Sequence, residues 1–138
     1  MKAWKRAADA ADAHKFDHVT SPLVNLHWLR MPERIQYKLC ILVHRCLNGA
    51  APQYLSELIQ PLSDEDSRRR LLSASTAEVL VPATRRSTIG DRAFAVAGPR
   101  AWNNLPVDLP LSRTFNTFKT HLKSHLFNLS FPSVCLYH

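Results

Sequence analysis

A small, mainly helical α+β domain of about five short helices and a two-stranded β element is the fold class that these 138 residues predict. Three observations carry that expectation. Apolar side chains make up 46% of the chain, enough to build one core in a single domain of this length. Apolar residues recur at helical spacing in the stretches 32–47 and 112–128. Nine prolines against three glycines cut the chain into short elements, and the stretch EVLVPAT at 78–84 is rich in strand-forming residues.

The elements follow in order. Thr20, Ser21 and Pro22 start a first helix over about 21–29, because a hydroxyl accepts orphan amide protons and proline fits the first turn. Pro32 and Glu33 open a stronger helix in which Ile35, Leu39, Leu42, Val43 and Cys46 line one face. Asn48 and Gly49 stop it, and its other face shows Arg34, Gln36, Lys38 and Arg45. Pro52 starts a third helix with Tyr54, Leu55, Leu58 and Ile59 as its apolar stripe, ended by Pro61. Residues 62–76 are polar, and the acidic Asp64, Glu65 and Asp66 followed by Arg68, Arg69 and Arg70 read as a solvated loop. EVLVPAT reads as an edge strand, with LLSAS at 71–75 as its partner. Between 91 and 106, Phe94, Val96 and Trp102 want burial, while Gly98 and Pro99 break a continuous helix into two short turns. Ser112 caps a last helix through about Asn128, with Phe115, Phe118, Leu122 and Leu126 inward and Lys119 and Lys123 flanking them.

Eighteen basic residues against eleven acidic ones give a formal net charge of +7. The charge is spread along the chain, so it favours anionic partners without marking one tail as their site. The longest apolar run, LCILV at 39–43, is far shorter than the ~20 residues that span a bilayer, so no membrane partner is expected. The N-terminal residues lack the apolar stretch of a secretory signal, and an intracellular location is expected. Cys40, Cys46 and Cys135 are an odd set without paired spacing, which fits reduced thiols. Neither an internal repeat nor a low-complexity stretch is present.

Candidate chemistry is sparse. His121 and His125 stand at i, i+4, a spacing that can chelate zinc given a third ligand, but no HExxH pattern accompanies them. Cys40, His44 and Cys46 cannot easily aim at one ion from a single helix, and the period assigns Cys46 to the apolar face. Nucleophilic serine or cysteine lacks the neighbouring base that such chemistry needs, and no G-x-S-x-G occurs. No metal, cofactor or catalytic residue is therefore expected. Trp28 and Trp102 have the aromatic faces that stack on unpaired bases, but their apolar neighbours favour core positions. What is left is a basic set: Arg34, Lys38 and Arg45 on one helix, Arg85, Arg86 and Arg92 around the strand, and Lys119 and Lys123 on the last helix. Such cations suit phosphate, with weak, sequence-independent and salt-sensitive binding of RNA or DNA, and equally suit an ordinary basic surface without a partner.

The phrase KFDHVTSPLVNLHWL at 15–29, followed by RIQYKLCILVHRCLNGAAPQYLSELI at 34–59, resembles the C-terminal region of jockey-like, LINE-type retrotransposon reverse transcriptases. The likeness continues through LLSAS and LVPATRRSTIGDRAFAVAGPRAWNNLP, between 71 and 106, and ends with FNTFKTHLKSHLF at 115–127. It divides the chain into a poorly matched extension at 1–14, a C-terminal domain at 15–127 and a divergent tail at 128–138. The resemblance implies a segment downstream of the catalytic palm, whose paired aspartates hold two metal ions and have no counterpart here. It implies a non-catalytic fragment of an RNA-directed DNA polymerase, left by a truncated element; in the full-length polymerase the basic set would line a template or primer path. The competing expectation is an interaction module, in which the face bearing Tyr54, Leu55 and Leu58 binds a partner helix or a second copy.

Overall fold

Proline and capping signals set where the helices begin in the computed structural model, which describes residues 20–62, 77–85, 87–112 and 114–132. Among these residues the chain is mainly helical: α1 (Thr20–Asn25), α2 (Met31–Leu47), α3 (Gln53–Ser56), α4 (Ser87–Gly90), α5 (Phe94–Asn103) and α6 (Phe115–Ser130). Pro32 occupies the first turn of α2, where a missing N–H costs nothing. Its other end closes on Gly49 in the left-handed region at φ 67°, with Gly49 N–H donating to the Cys46 carbonyl and Ala50 N–H to that of Arg45. This pair of bonds is a Schellman closure, and the residue without a Cβ takes the position that demands positive φ.

α2 is the central element, with α5 and α6 packed against it. Cys40 and Val43 of α2, Trp102 of α5 and Phe118, Leu122 and Leu126 of α6 form the centre of the core, completed by Leu29, Ile59, Val79, Leu105 and Leu109. The buried arc of α2 is rotated from the expected stripe. Cys40, Val43, His44 and Cys46 are buried, Leu39 and Leu42 are half-buried, and Ile35 is 54% exposed. Two neighbours rather than one cover α2, so the arc centres between them, and apolar periodicity alone does not place that centre.

Four local expectations are corrected. α1 stops at Asn25 rather than near 29, because His27 takes a left-handed backbone at φ 52° and closes the helix. α3 is a single turn, leaving Tyr54 and Leu58 exposed while Ile59 is buried. Gly98 and Pro99 do not break α5, which runs through both of them for ten residues. Both are buried, and a Cβ on Gly98 would stand 3.1 Å from Val43 Cγ2 and 3.1 Å from Phe94 Cε2. The glycine thus permits the close approach of α5 to α2, and that packing holds the helix across a residue that lacks an amide proton. α6 is capped by Thr114 rather than Ser112: the Thr114 hydroxyl accepts from Thr117 N–H at 3.2 Å.

The strand expected at 78–84 does not form among the described residues: Val79 alone makes an isolated antiparallel bridge, opposite Pro61. Leu80 N–H donates to the Gln60 carbonyl and Leu62 N–H to that of Glu78. The other edge of Val79 is taken by the Asn103 side chain, whose amide accepts from Val79 N–H at 3.0 Å and donates to its carbonyl at 2.8 Å. A carboxamide at the end of α5 therefore fills the place of a second strand, and the pairing stops there. The expected partner strand at 71–75 lies outside the described residues.

Candidate nucleic-acid interface

The turn after α1 decides the site. His27 N–H donates to the Val24 carbonyl and Trp28 N–H to that of Leu23, a helix closure of the same kind as that of α2 but with a histidine in the left-handed position. Histidine is among the residues enriched there, though it bears a strain that glycine does not. The reversal sends Leu29 inward, 6% exposed, and Trp28 outward, 43% exposed. Trp28 is thus a surface residue, against the core position expected for it. Trp102, by contrast, is 2% exposed and donates from Nε1 to the Ala77 carbonyl at 2.7 Å. The His27 ring lies parallel to Phe127 of α6, with centroids 5.1 Å apart and planes 8° from parallel.

Trp28 lines a cleft of about 350 Å³ with His27, Leu29, Arg34, Tyr37 and Lys123. Arg34 reaches it from the first turns of α2, its Nε donating to the Leu29 carbonyl at 2.8 Å and its guanidinium 5.4 Å from the centre of the Trp28 ring. Lys123 reaches it from α6 and is exposed. Burial pushes the Tyr37 phenol above its ordinary pKa, so it stays protonated and able to donate. Among the described residues no acidic side chain forms an ion pair with Arg34 or Lys123, and none lines the cleft. The cleft therefore offers two uncompensated cations beside an indole face.

The remaining basic residues are divided. Arg45 and Lys119 meet at Phe115, with cationic centres 5.3 and 5.4 Å from the ring centroid. Lys38 is exposed one turn beyond Arg34. Arg85 and Arg92 are exposed near α4 and line neither cleft, while Asp91 beside them holds Arg100 at 3.3 Å and accepts from the Thr84 hydroxyl at 2.8 Å. Those contacts, first the Thr84 hydroxyl and then Arg100, hold the Asp91 carboxyl below its ordinary pKa. Arg86 lies outside the described residues. His27 and Tyr37 also line the cleft, and the only mark of them in the sequence is the juxtaposition of HW with Arg30 and Arg34.

The cysteines of α2 are buried thiols. Burial pushes Cys40 up to about 12, and Cys46 is raised for the same reason, offset in part by Ser56. A thiol so placed stays protonated at neutral pH and is a poor nucleophile. His121 is exposed and His125 half-buried, and among the described residues no group of three His, Cys, Asp or Glu could hold a metal ion. No helix there is long and apolar enough to cross a membrane.

His44 is a buried imidazole of the core. It is 9% exposed and stacked 4.5 Å from Phe118, with Phe115 at 5.4 Å, and this burial lowers its pKa. The unfolded imidazole takes up a proton near pH ~6.5 that the folded one resists, so the unfolded state binds more protons below that pH. Stability is expected to hold above about pH 6.5 and to fall as the pH drops beneath it. Melting curves at about pH 7.5 and about pH 5 should show a smaller loss for His44→Phe than for the wild type. An equal loss in both would remove His44 as the cause.

Comparison of the chain with protein-family models, with curated proteins and with solved structures finds no match.

Proposed function

We propose that this chain is a non-catalytic module that binds single-stranded RNA or DNA weakly and without sequence preference, and that it derives from the C-terminal region of a LINE-type reverse transcriptase. The observation that carries the binding is the cleft where Trp28, Arg34 and Lys123 converge from three parts of the chain. An exposed indole beside unpaired cations is the combination that sequence-tolerant single-strand binding uses: the ring stacks on any base, and the cations neutralise phosphate. Ring stacking and phosphate contact carry no base-edge information, so discrimination among bases should be slight. The origin rests on the ordered motifs between residues 15 and 127.

Titration of the purified chain with single-stranded RNA, single-stranded DNA and duplex DNA across a salt series tests this reading. Affinity for the single strands should fall steeply with salt, and Lys123→Gln should flatten the logarithmic slope by about 0.7. Trp28→Ala should weaken single-strand binding about 5-fold or more at every salt, since a stacked base contributes ~1–3 kcal/mol. Circular dichroism should be unchanged in both variants. A folded wild-type chain that binds none of the three nucleic acids would refute the proposal. It would turn attention to the second reading, an interaction surface at Tyr54 and Leu58, which are 68% and 44% exposed.

A further inference from the structure

The Arg34–Lys123 cleft is one end of a longer feature. α2 and α6 run antiparallel: Arg34, near the start of α2, shares its cleft with Lys123, whereas Arg45, near its end, sits over Phe115 at the start of α6. At this second end His44, Arg45, Asn48, Ala50 and Phe115 line another cleft, of about 390 Å³. Eleven residues of helix separate Arg34 from Arg45, a rise of about 16 Å. At about 100° per residue, Arg34, Lys38 and Arg45 fall within an arc of about 40° on α2. Phe115, Lys119, Lys123 and Phe127 follow one another at i, i+4 on α6, so they form a single stripe on that helix. Among the described residues no acidic side chain lines either cleft.

The two ends differ in kind. At the first, Trp28 is 43% exposed and has one cation, the Arg34 guanidinium, 5.4 Å from its ring centre. At the second, the Phe115 ring is half-buried and has two cations over it, so it fixes Arg45 and Lys119 in place more than it offers a face to a base. Stacking belongs to the first end and phosphate contact to the second.

We infer that a single strand lies lengthwise along the seam between α2 and α6, anchored at one end by Trp28, Arg34 and Lys123 and at the other by Arg45 and Lys119. The inference rests on the binding proposed above and adds to it a footprint and a direction across the surface. Bridging about 16 Å takes about five steps of the ~3.4 Å rise of a stacked strand, or about five to six nucleotides. Lys38 stands between the ends, within reach of the intervening phosphates. An oligonucleotide too short to span the seam occupies the first end alone.

The test is a length series of dye-labelled oligothymidylates, from two to ten nucleotides, read by fluorescence anisotropy against the full chain at low salt. Affinity should rise about tenfold or more in a step between about three and six nucleotides, then grow only slowly as further registers become available. Arg45→Gln combined with Lys119→Gln should abolish the step while leaving dinucleotide and trinucleotide binding as it was. Lys123→Gln should weaken every length. Circular dichroism and melting of each variant establish that it is folded, and the exposed position of Arg45 makes that change benign for the core. Binding that grows smoothly with length, or a step that survives the Arg45 and Lys119 changes, overturns the lengthwise track but leaves the single-strand proposal standing. Absence of binding at every length overturns both. Equal binding of polyglutamate, insensitive to Trp28→Ala, overturns both in favour of an acidic protein partner.

Discussion

Trp102→Ala is expected to cost about 3–5 kcal/mol of stability and to lower the melting temperature by roughly 10–15 °C. The indole is 2% exposed, tilted against Phe118 at 5.6 Å and against His44 at 6.2 Å, where α2, α5 and α6 meet. Truncation there removes a large transfer contribution and leaves a cavity that three helices cannot all close. A second loss comes from the Ala77 carbonyl, which the indole N–H satisfies at 2.7 Å. Trp102→Phe separates the two in part, since it keeps a six-membered ring in the junction while losing the pyrrole ring and its donor; an unmade buried bond of this kind costs about 1–3 kcal/mol. Against a total stability of about 5–15 kcal/mol the alanine variant stands close to the limit of folding. Urea unfolding followed by circular dichroism measures both. Equal midpoints for Trp102→Ala and the wild type would mean that the three-helix junction is not the centre of the core.

Much of this arrangement was legible in the residues, and the parts that were not share a cause. α2 and α6 announce themselves because their period, proline and cap signals all lie within the segment that folds. The course of α5 could not be read so, because what admits Gly98 and Pro99 into a helix is Val43, more than fifty residues away in sequence. Val79 gives the same lesson, since a strand-like sequence finds a side-chain amide instead of a strand. At the site, charge spacing singled out Arg34 and Lys123, but their meeting depends on α2 and α6 running antiparallel. The leucine neighbours of Trp28 favour a core position, but a left-handed residue one position earlier turns it outward. Positive φ at a histidine leaves no compositional mark of the kind that Gly49 leaves at the end of α2. Arg85 and Arg92 show the converse: basic residues adjacent in the sequence argument, yet outside both clefts.

Gly98→Val is expected to destabilise the fold by about 1–3 kcal/mol, and the smaller Gly98→Ala to destabilise it as well, against the ordinary trend for helices. Replacing a glycine inside a helix by alanine usually gains about 0.5–1 kcal/mol, because the unfolded glycine has more freedom to lose. Here the added Cβ would meet Val43 Cγ2 and Phe94 Cε2, each at 3.1 Å. Phe94 is half-buried and can give way. Val43 is fully buried in the middle of α2, and a β-branched side chain in a helix has essentially one rotamer, so it cannot swing aside. The relief must come from moving α5 away from α2, which loosens the Trp102 contacts at the far end of the same helix. The two isopropyl methyls of valine make the conflict larger than alanine does, so the melting temperatures should fall in the order wild type, alanine, valine. Because neither cleft is lined by α5, both variants should bind single strands as the wild type does at temperatures where they are folded. An alanine variant more stable than the wild type would show that the α2–α5 contact can part by a few tenths of an ångström without loss, and that the glycine is not what fixes their approach.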